Sequence, residues 1–196
     1  VKKKKLKKKK EIKKQKRTIP CKELFDESKK ETCDLNKLKK NYSEDSIIYL
    51  SKKYFDEKKY EKLYSLIEKR KDNINPMLLR EIAYKFKRGY DDKRYYHKAF
   101  ELYKISARKG DVFSMAELGY LYAKGYGIKK DYKQAYFWFK KASLNDSRYS
   151  MSWIGYFFEK GYYVNKDYKE AIKWYKKSNT KYSQMRIKVI NRKLDE

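Results

Sequence analysis

Apolar residues in the second half of the chain recur with the period of an α-helix. Ala135, Trp138, Phe139 and Ala142 occupy positions i, i+3, i+4 and i+7, which places their side chains on one face of a helix. A second apolar stripe with helical spacing runs from residue 118 to residue 123. The pattern predicts two kinds of amphipathic helix that bury these stripes against each other.

Both kinds of helix recur every 36 residues. AFELYKISA, AYFWFKKAS and AIKWYKKSN begin at Ala99, Ala135 and Ala171, while MAELGYLYAKGYGIKKDY and MSWIGYFFEKGYYVNKDY begin at Met115 and Met151. The repeat is weaker upstream, where residues 41–70 have the pattern of a degenerate unit with two helical stretches. Because stacked repeats bury a continuous core from about three units onward, the sequence predicts an all-α solenoid of tandem 36-residue helix-turn-helix repeats.

Each clear repeat carries residues that end one helix and begin the next. Gly125 and Gly161 stand where a helix ends, and glycine takes the left-handed conformation of that position without steric cost. Asp131 and Asp167 precede the next helix, where a carboxylate accepts hydrogen bonds from free backbone N–H groups. The sequence therefore predicts the same turn in both repeats.

A glycine also lies inside one helix of each clear repeat. Gly119 and Gly155 are 36 residues apart, and each lacks the Cβ atom that would hold a neighbouring helix away. We expect each of them to let two backbones approach closely, opposite a small alanine of the facing helix. Small residues are thus predicted to set the distance between helices.

At the segment AELGYLYAKGYGIKKDYKQAYFWFKKA, from Ala116 to Ala142, the chain resembles the Sel-one-like repeat family, whose members are relatives of tetratricopeptide repeats. The resemblance is strong over residues 82–177 and weak over residues 41–70. It implies a right-handed α-solenoid that serves as an adaptor or scaffold in protein complexes and has no catalytic centre. The chain departs from the pattern at Asp146, which stands where Gly110 does, and at Tyr163, which replaces Gly127.

The pattern divides the chain into five segments. We expect a Lys-rich arm over residues 1–20, a linker or short helix over 21–40, and degenerate helical repeats over 41–81. The Sel-one-like repeats then cover residues 82–180. The last segment, 181–196, lacks the small residues of the repeats and is expected to be a capping helix that closes the stack.

Charge is concentrated at one end of the chain. The 196 residues contain 54 Lys and Arg against 26 Asp and Glu, a net charge of +28, and residues 1–20 contribute 12 basic residues and one acid. A block of like charge with few apolar residues does not fold alone, so this arm is predicted to be disordered or extended. Lys and Tyr are also enriched in AT-rich genomes, and part of the charge can therefore be compositional drift.

The sequence offers no set of residues for catalysis or metal binding. Cys21, Cys33 and the single histidine, His97, fall short of the four ligands of a structural zinc site. His97 aligns with two lysines in the other repeats and is expected to be a surface residue. No cofactor and no enzymatic activity are predicted, and the redox state of the two cysteines is left open.

The aromatic residues of the repeats have a structural explanation. Trp138, Phe139, Trp153, Trp174 and Tyr175 have helical spacing and small neighbours, which favours a place in the core over base stacking. No uncharged run reaches the roughly 18 residues of a membrane span, so an integral membrane protein is excluded.

Two sets of residues are predicted to contact a partner. In the first, the basic side chains of the arm face an anionic partner: Lys2, Lys3, Lys4, Lys5, Lys7, Lys8, Lys9, Lys10, Lys13, Lys14, Lys16 and Arg17. The second lies opposite the buried stripe, on helices taken as the first of each repeat and therefore as the lining of a concave face: Lys104, Lys133, Phe137, Lys140, Lys169, Lys173 and Lys176. A lysine stripe is usually a solvated face, and contact with an anionic partner is the functional alternative.

Three hypotheses for function follow from these features. The leading one is a non-catalytic scaffold in a large assembly, whose basic arm contacts the phosphates of ribosomal or other structured RNA. The first alternative is an adaptor for proteins alone, in degradation, signalling or secretion, with the arm as a solvated tail or nuclear-localisation signal. The second is a membrane-peripheral protein whose arm binds anionic lipid. An intracellular location is favoured, with an organellar, mitochondrial one as an alternative.

Overall fold

The structure, a computed structural model, describes residues 44–89 and 95–195, with no strand among them. In this part of the chain the nine α-helices are α1 (Glu44–Asp56), α2 (Tyr60–Glu68), α3 (Pro76–Arg88), α4 (Tyr96–Arg108), α5 (Val112–Lys124), α6 (Tyr132–Ser143), α7 (Arg148–Lys160), α8 (Tyr168–Ser178) and α9 (Lys181–Asp195). The predicted all-α class is confirmed there. The arm, the linker and both cysteines lie outside the described residues. None of the described helices is long and apolar enough to cross a bilayer.

The chain divides into two compact units, Val1–Leu63 and Tyr64–Glu196. In the described part of the first unit, helix α1 buries Ile47 and Leu50 on one face. The ring of Phe55 lies edge-on to that of Tyr60, with centroids 5.4 Å apart. This unit therefore has apolar side chains of its own to bury.

The second unit is a tandem array of helix pairs. Helices α3, α5 and α7 begin at residues 76, 112 and 148, and α4, α6 and α8 begin at residues 96, 132 and 168. Each helix from α3 to α9 packs on the next one in the chain. The predicted 36-residue repeat is thus the repeat of the structure, and its third copy extends back to α3.

The predicted helix ends are confirmed. Asp131 and Asp167 accept hydrogen bonds from the backbone N–H groups of the third residues after them. Gly125 and Gly161 end α5 and α7 in the left-handed conformation, both with φ of 72°. Because the capping groups are close in sequence to the helices they end, the sequence alone is sufficient to predict them.

The departures from the repeat pattern keep the backbone of the turn. Asp146 has φ of 59° where Gly110 has 97°, and Tyr163 has φ of 63° where Gly127 has 76°. Left-handed backbone at a residue other than glycine costs about 1 kcal/mol, so the surrounding helices impose the turn on these two residues.

The helix stripes meet as expected, with one correction. Ala135, Trp138, Phe139 and Ala142 are all buried, as their spacing predicts. Gly119, however, does not face a small alanine. A Cβ at this position would lie 2.8 Å from Cδ1 of the Phe139 ring, so the glycine makes room for an aromatic ring, whose bulk sets the helix distance.

The last helix is held by a buried carboxylate. Glu159 on α7, only 4% exposed, accepts hydrogen bonds from the Tyr175 hydroxyl on α8 at 2.9 Å and from Nε of Arg186 on α9 at 3.0 Å. Burial raises the pKa of the Glu159 carboxyl, but the hydrogen bonds from Arg186 and Tyr175 outweigh it and hold the pKa below its ordinary value. One acid therefore ties three helices together.

Helix α9 has the position expected for a cap. It packs on α8 and α7, and of its side chains Ser183 and Ile190 are buried. Its role as the cap of the stack stays a prediction.

Candidate functional site

The predicted lysine stripe lies on α4, α6 and α8. The structure leaves Lys133, Phe137, Lys169, Lys173 and Lys176 exposed and half-buries Lys104 and Lys140. Two of these cations are neutralised on their own helix, because Lys104 pairs with Glu101 at 3.7 Å and Lys173 pairs with Glu170. The contact of the stripe with a partner stays a prediction.

Lys140 is brought next to a cation that the sequence analysis did not single out. Its ammonium lies 4.2 Å from the centroid of the Trp174 ring, and the Lys177 ammonium lies 4.9 Å from the same centroid. Burial and the nearby Lys177 charge both lower the pKa of Lys140. Among the described residues neither lysine lies within salt-bridge distance of an acid, and the charge of Glu170 offsets the effect of burial and of Lys177 only in part.

A row of exposed apolar side chains lies on the other helix of each pair. Met77, Phe113, Tyr149 and Met185 are each 36 residues from the next and are 55%, 46%, 44% and 52% exposed. They belong to α3, α5, α7 and α9. We call these four residues the apolar row. Exposed apolar residues are ordinary when they are scattered, but one at the same position in successive repeats offers a partner a regularly spaced set of apolar contacts.

A cleft of about 500 Å³ opens beside the apolar row. Four aromatic side chains line it, namely Tyr149, Trp153 and Tyr156 on α7 and Tyr182 on α9. Ser152, Thr180 and Lys124 complete the lining. The volume is in the range of sites that take a small molecule or a side chain of a partner. We call this feature the Trp153 cleft.

Trp153 is fixed in place by aromatic contacts on several sides. Its ring stacks on Phe139 with centroids 5.3 Å apart and an interplanar angle of 6°. Tyr120, Tyr149 and Tyr156 meet the same ring edge-on, with centroid distances of 5.8, 6.3 and 5.6 Å. Such contacts stabilise one ring orientation, so the cleft is formed before any ligand arrives.

Charge around the Trp153 cleft is unbalanced. Glu117 and Glu159, the acids of α5 and α7, are each occupied by a cation, Lys87 at 2.5 Å and Arg186 respectively. Lys124 is exposed, and its ammonium lies 5.7 Å from the centroid of Trp153. Among the residues that line the cleft it is the one with a charged side chain. The site therefore combines an apolar floor with a positive rim.

The aromatic residues predicted to be core divide into two groups. Trp138, Phe139 and Tyr175 are buried, as predicted. Trp153 and Trp174 pack against the core as predicted, but they are only half-buried. Trp153 also lines the cleft, and the ammonium groups of Lys140 and Lys177 lie over the ring of Trp174. The 36-residue period of the sequence aligns the four residues of the apolar row, but it does not show that their side chains are exposed.

His97 lies at the surface, as predicted, with Nδ1 3.2 Å from the carbonyl oxygen of Gly127. Within residues 44–89 and 95–195, no three His, Cys, Asp or Glu side chains come together as a metal site would require. The twelve basic residues predicted in the arm lie outside the described residues.

Comparison with known proteins identifies the repeat. The model of the Sel1 repeat family matches residues 87–111, 112–147 and 148–181. A Sel1 repeat protein from Oxalobacter formigenes is 28% identical, with a TM-score of 0.53 over 67% of this chain and 54% of that one. The protein c5321, a protective antigen present in uropathogenic Escherichia coli strains that displays an SLR fold, is 23% identical, with a TM-score of 0.58 over 69% of this chain and 30% of that one. The chain thus spans about half of the first protein and under a third of the second. No curated protein matches it.

The matched units also assign an order to the helices. They begin at residues 112 and 148, so α5 and α7 come first in their repeats, while α6 and α8 come second. The concave position predicted for the lysine stripe depends on α4, α6 and α8 being the first helices of their repeats. This basis for the concave position is therefore corrected, and the apolar row, not the lysine stripe, lies on the first helices.

Proposed function

We propose that a partner protein docks across α3, α5, α7 and α9 and that the protein has no catalytic role. Residues 87–181 match the Sel1 repeat, a helical repeat that serves as a scaffold for protein–protein interaction. The apolar row carries this proposal. Four large side chains at equivalent positions stay in contact with water in the isolated chain, and their burial by a partner is favourable at about 25 cal/mol per Å². Tyrosine and tryptophan, which line the adjacent cleft, are also the residues that most often dominate binding energy.

Loss of Tyr149 is expected to release the partner. Tyr149→Ser removes the largest exposed ring of the row, and the amount of any protein that copurifies from extracts of the source organism should fall at least tenfold. Phe137→Ser is the matched control, since Phe137 is an exposed ring on α6, 53% exposed against 44% for Tyr149. Circular dichroism of both variants checks that the helices are intact. If the partner is lost with Phe137→Ser and retained with Tyr149→Ser, it docks on the lysine stripe, which would contradict the proposal.

A second contact, with an anionic neighbour such as ribosomal RNA, is favoured by the positive charge on α6 and α8. Lys140 and Lys177 share Trp174 without a salt bridge to an acid of the described residues, and the first twenty residues add twelve basic side chains and one acid. Phosphates beside such cations release condensed counterions, which supplies affinity without sequence readout. Because of this positive charge, we propose that the protein contacts RNA in a larger assembly.

Deletion of residues 1–20 is expected to lower affinity for a structured RNA, such as a ribosomal RNA fragment, and to flatten its dependence on salt. Each phosphate contact that is lost reduces the slope of log K against log salt by about 0.9. Filter binding over a salt series measures both quantities, with the double substitution Lys140→Gln and Lys177→Gln as a separate arm. If RNA does not bind at low salt, or if the deletion leaves binding unchanged, the protein-only adaptor is the better account.

A further inference from the structure

We propose that the Trp153 cleft receives an apolar side chain from an acidic peptide segment of the partner and that Lys124 pairs with a carboxylate beside that side chain. The proposal rests on the docking of a protein across the first helices and names the chemistry of the segment that docks. The cleft binds the apolar side chain, and the positive rim selects an acidic segment.

The lining of the cleft selects an apolar group. Its walls are the rings of Tyr149, Trp153, Tyr156 and Tyr182. The hydroxyls of Ser152 and Thr180 do not need a ligand, because the Ser152 Oγ lies 3.2 Å from the Thr180 Oγ1 and 2.8 Å from the Ser178 Oγ. The three tyrosine hydroxyls of the lining also have side-chain partners: Tyr149 is hydrogen-bonded to Trp153, Tyr156 to Tyr162 and Tyr182 to Tyr175. A group that enters the cleft therefore gains contact with aromatic surface and leaves no protein polar atom without a partner.

A group of aromatic rings could also be expected to bind a cation, and the electrostatics of this site argue against that occupant. Cation–π recognition places a positive charge over the ring face, but the Lys124 ammonium already lies 5.7 Å from the Trp153 centroid. A second cation would be repelled by it. The acids of α5 and α7 cannot offset that repulsion, because Glu117 and Glu159 are occupied by Lys87 and Arg186.

The rim of the cleft favours a carboxylate instead. Lys124 is exposed and forms no salt bridge with an acid of the described residues. Arg148 and Lys181, the chain neighbours of Tyr149 and Tyr182, are exposed as well. Charge of one sign around an apolar pocket steers and selects a partner of the opposite sign. An acidic segment with one leucine or aromatic anchor has both features that this site offers.

The test uses the full chain and four fluorescein-labelled nine-residue peptides, measured by fluorescence anisotropy. The peptides carry a central Leu flanked by Asp, by Lys or by Ser, and a central Ser flanked by Asp. The Leu peptide with Asp flanks should bind at least tenfold more tightly than the other three. Lys124→Glu should weaken its binding about tenfold, as the loss and reversal of one charge contact predicts, and Tyr149→Ala should weaken it by a similar factor.

Two substitutions in the lysine stripe provide matched controls. Lys133→Glu reverses an exposed charge and Phe137→Ala removes an exposed ring, and neither should change the affinity. Trp153→Ala is not used, because the stacking of Trp153 on Phe139 makes its loss a threat to the fold. Thermal melts of each variant confirm that binding is measured on folded protein.

The outcomes separate this proposal from the proposed function. If the Lys-flanked or Ser-flanked peptide binds as tightly as the Asp-flanked one and Tyr149→Ala abolishes binding, the acidic preference is wrong while docking at this face stands. If Lys124→Glu leaves the affinity unchanged, the role of Lys124 is wrong. If no peptide binds, the cleft is not an anchor site, and the copurification experiment with Tyr149→Ser judges the docking face by itself.

Discussion

Replacement of Arg186 by leucine is expected to lower the free energy of unfolding by about 3 kcal/mol. The substitution removes the Arg186 guanidinium from the Glu159 carboxylate, which is 4% exposed, and leaves it only the exposed Lys160 ammonium at 3.5 Å as a cation among the described residues. Removal of one partner from a buried pair costs about 3–5 kcal/mol. The lower end applies because the Arg186 side chain is itself partly exposed. Equilibrium denaturation in urea measures the change through the midpoint at constant slope.

Two tyrosines at equivalent positions provide an internal comparison. Tyr103 and Tyr175 are both fully buried, but the Tyr175 hydroxyl donates to Glu159 at 2.9 Å, whereas that of Tyr103 has no hydrogen-bond partner among the described residues. Tyr175→Phe should therefore cost about 1 kcal/mol, and Tyr103→Phe should be neutral or stabilising, since it removes an unsatisfied buried group. Equal losses from the two substitutions would contradict the assigned role of the Glu159 network.

Acidification should reduce the difference in the free energy of unfolding between the wild type and Arg186→Leu. The folded-state pKa of Glu159 lies below its ordinary value of 4.5, so the wild type binds fewer protons when folded. Its extra stability is present above pH 4.5 and is lost as the pH falls through the folded-state pKa. The leucine variant lacks the main contact that lowers this pKa, so protonation of Glu159 costs it less stability. A gap that stays constant from pH 7 to pH 3 would show that Arg186 acts through packing alone.

The second large effect is expected from Gly119→Ala, which should destabilise the protein by about 1–2 kcal/mol. The added Cβ would lie 2.8 Å from Cδ1 and 2.9 Å from Cε1 of the Phe139 ring, and overpacking of this kind costs about 1–3 kcal/mol. Alanine has a higher helix propensity than glycine, which offsets up to about 1 kcal/mol of that cost. The equivalent Gly155→Ala meets the ring of Tyr175 at the same distance and should behave alike.

A double-mutant cycle assigns the effect of Gly119→Ala to the ring. Phe139→Leu replaces the flat ring with a smaller side chain and has a cost of its own. In that background Gly119→Ala should be less destabilising than in the wild type by about 1 kcal/mol, which is the coupling expected for side chains in contact. Additive losses would show that the clash with Phe139 is not the cause.

Much of this architecture could be predicted from the sequence because its signals are local. Asp131 caps α6 and Gly125 ends α5 through groups within a few residues, so each turn is specified by its own segment. The 36-residue period adds that the same unit recurs. The apolar row has the same period, but an exposed Tyr149 and a buried Phe139 are both aromatic residues on amphipathic helices, and spacing within one helix does not tell them apart.

The candidate sites depend on residues from different repeats and could not be read from any one segment. Glu159 meets an arginine 27 residues away, and Lys140 meets the indole of a tryptophan on α8. Trp153 is covered on one side by Phe139 and left open on the other, towards Tyr182. Such positions are decided by how closely one helix pair approaches the next, and the Phe139 ring against Gly119 contributes to that distance.

By itself, the sequence determined the helical class, the repeat length, the helix ends and the large positive charge, because these follow from backbone capping, from the 3.6-residue period and from composition. The tertiary structure alone decided which aromatic rings stay at the surface, which helix face carries the apolar row, and which cations lack an acidic partner. The reason is that a helix in a stack packs on the helices before and after it, and both neighbours together determine which of its side chains remain in contact with water.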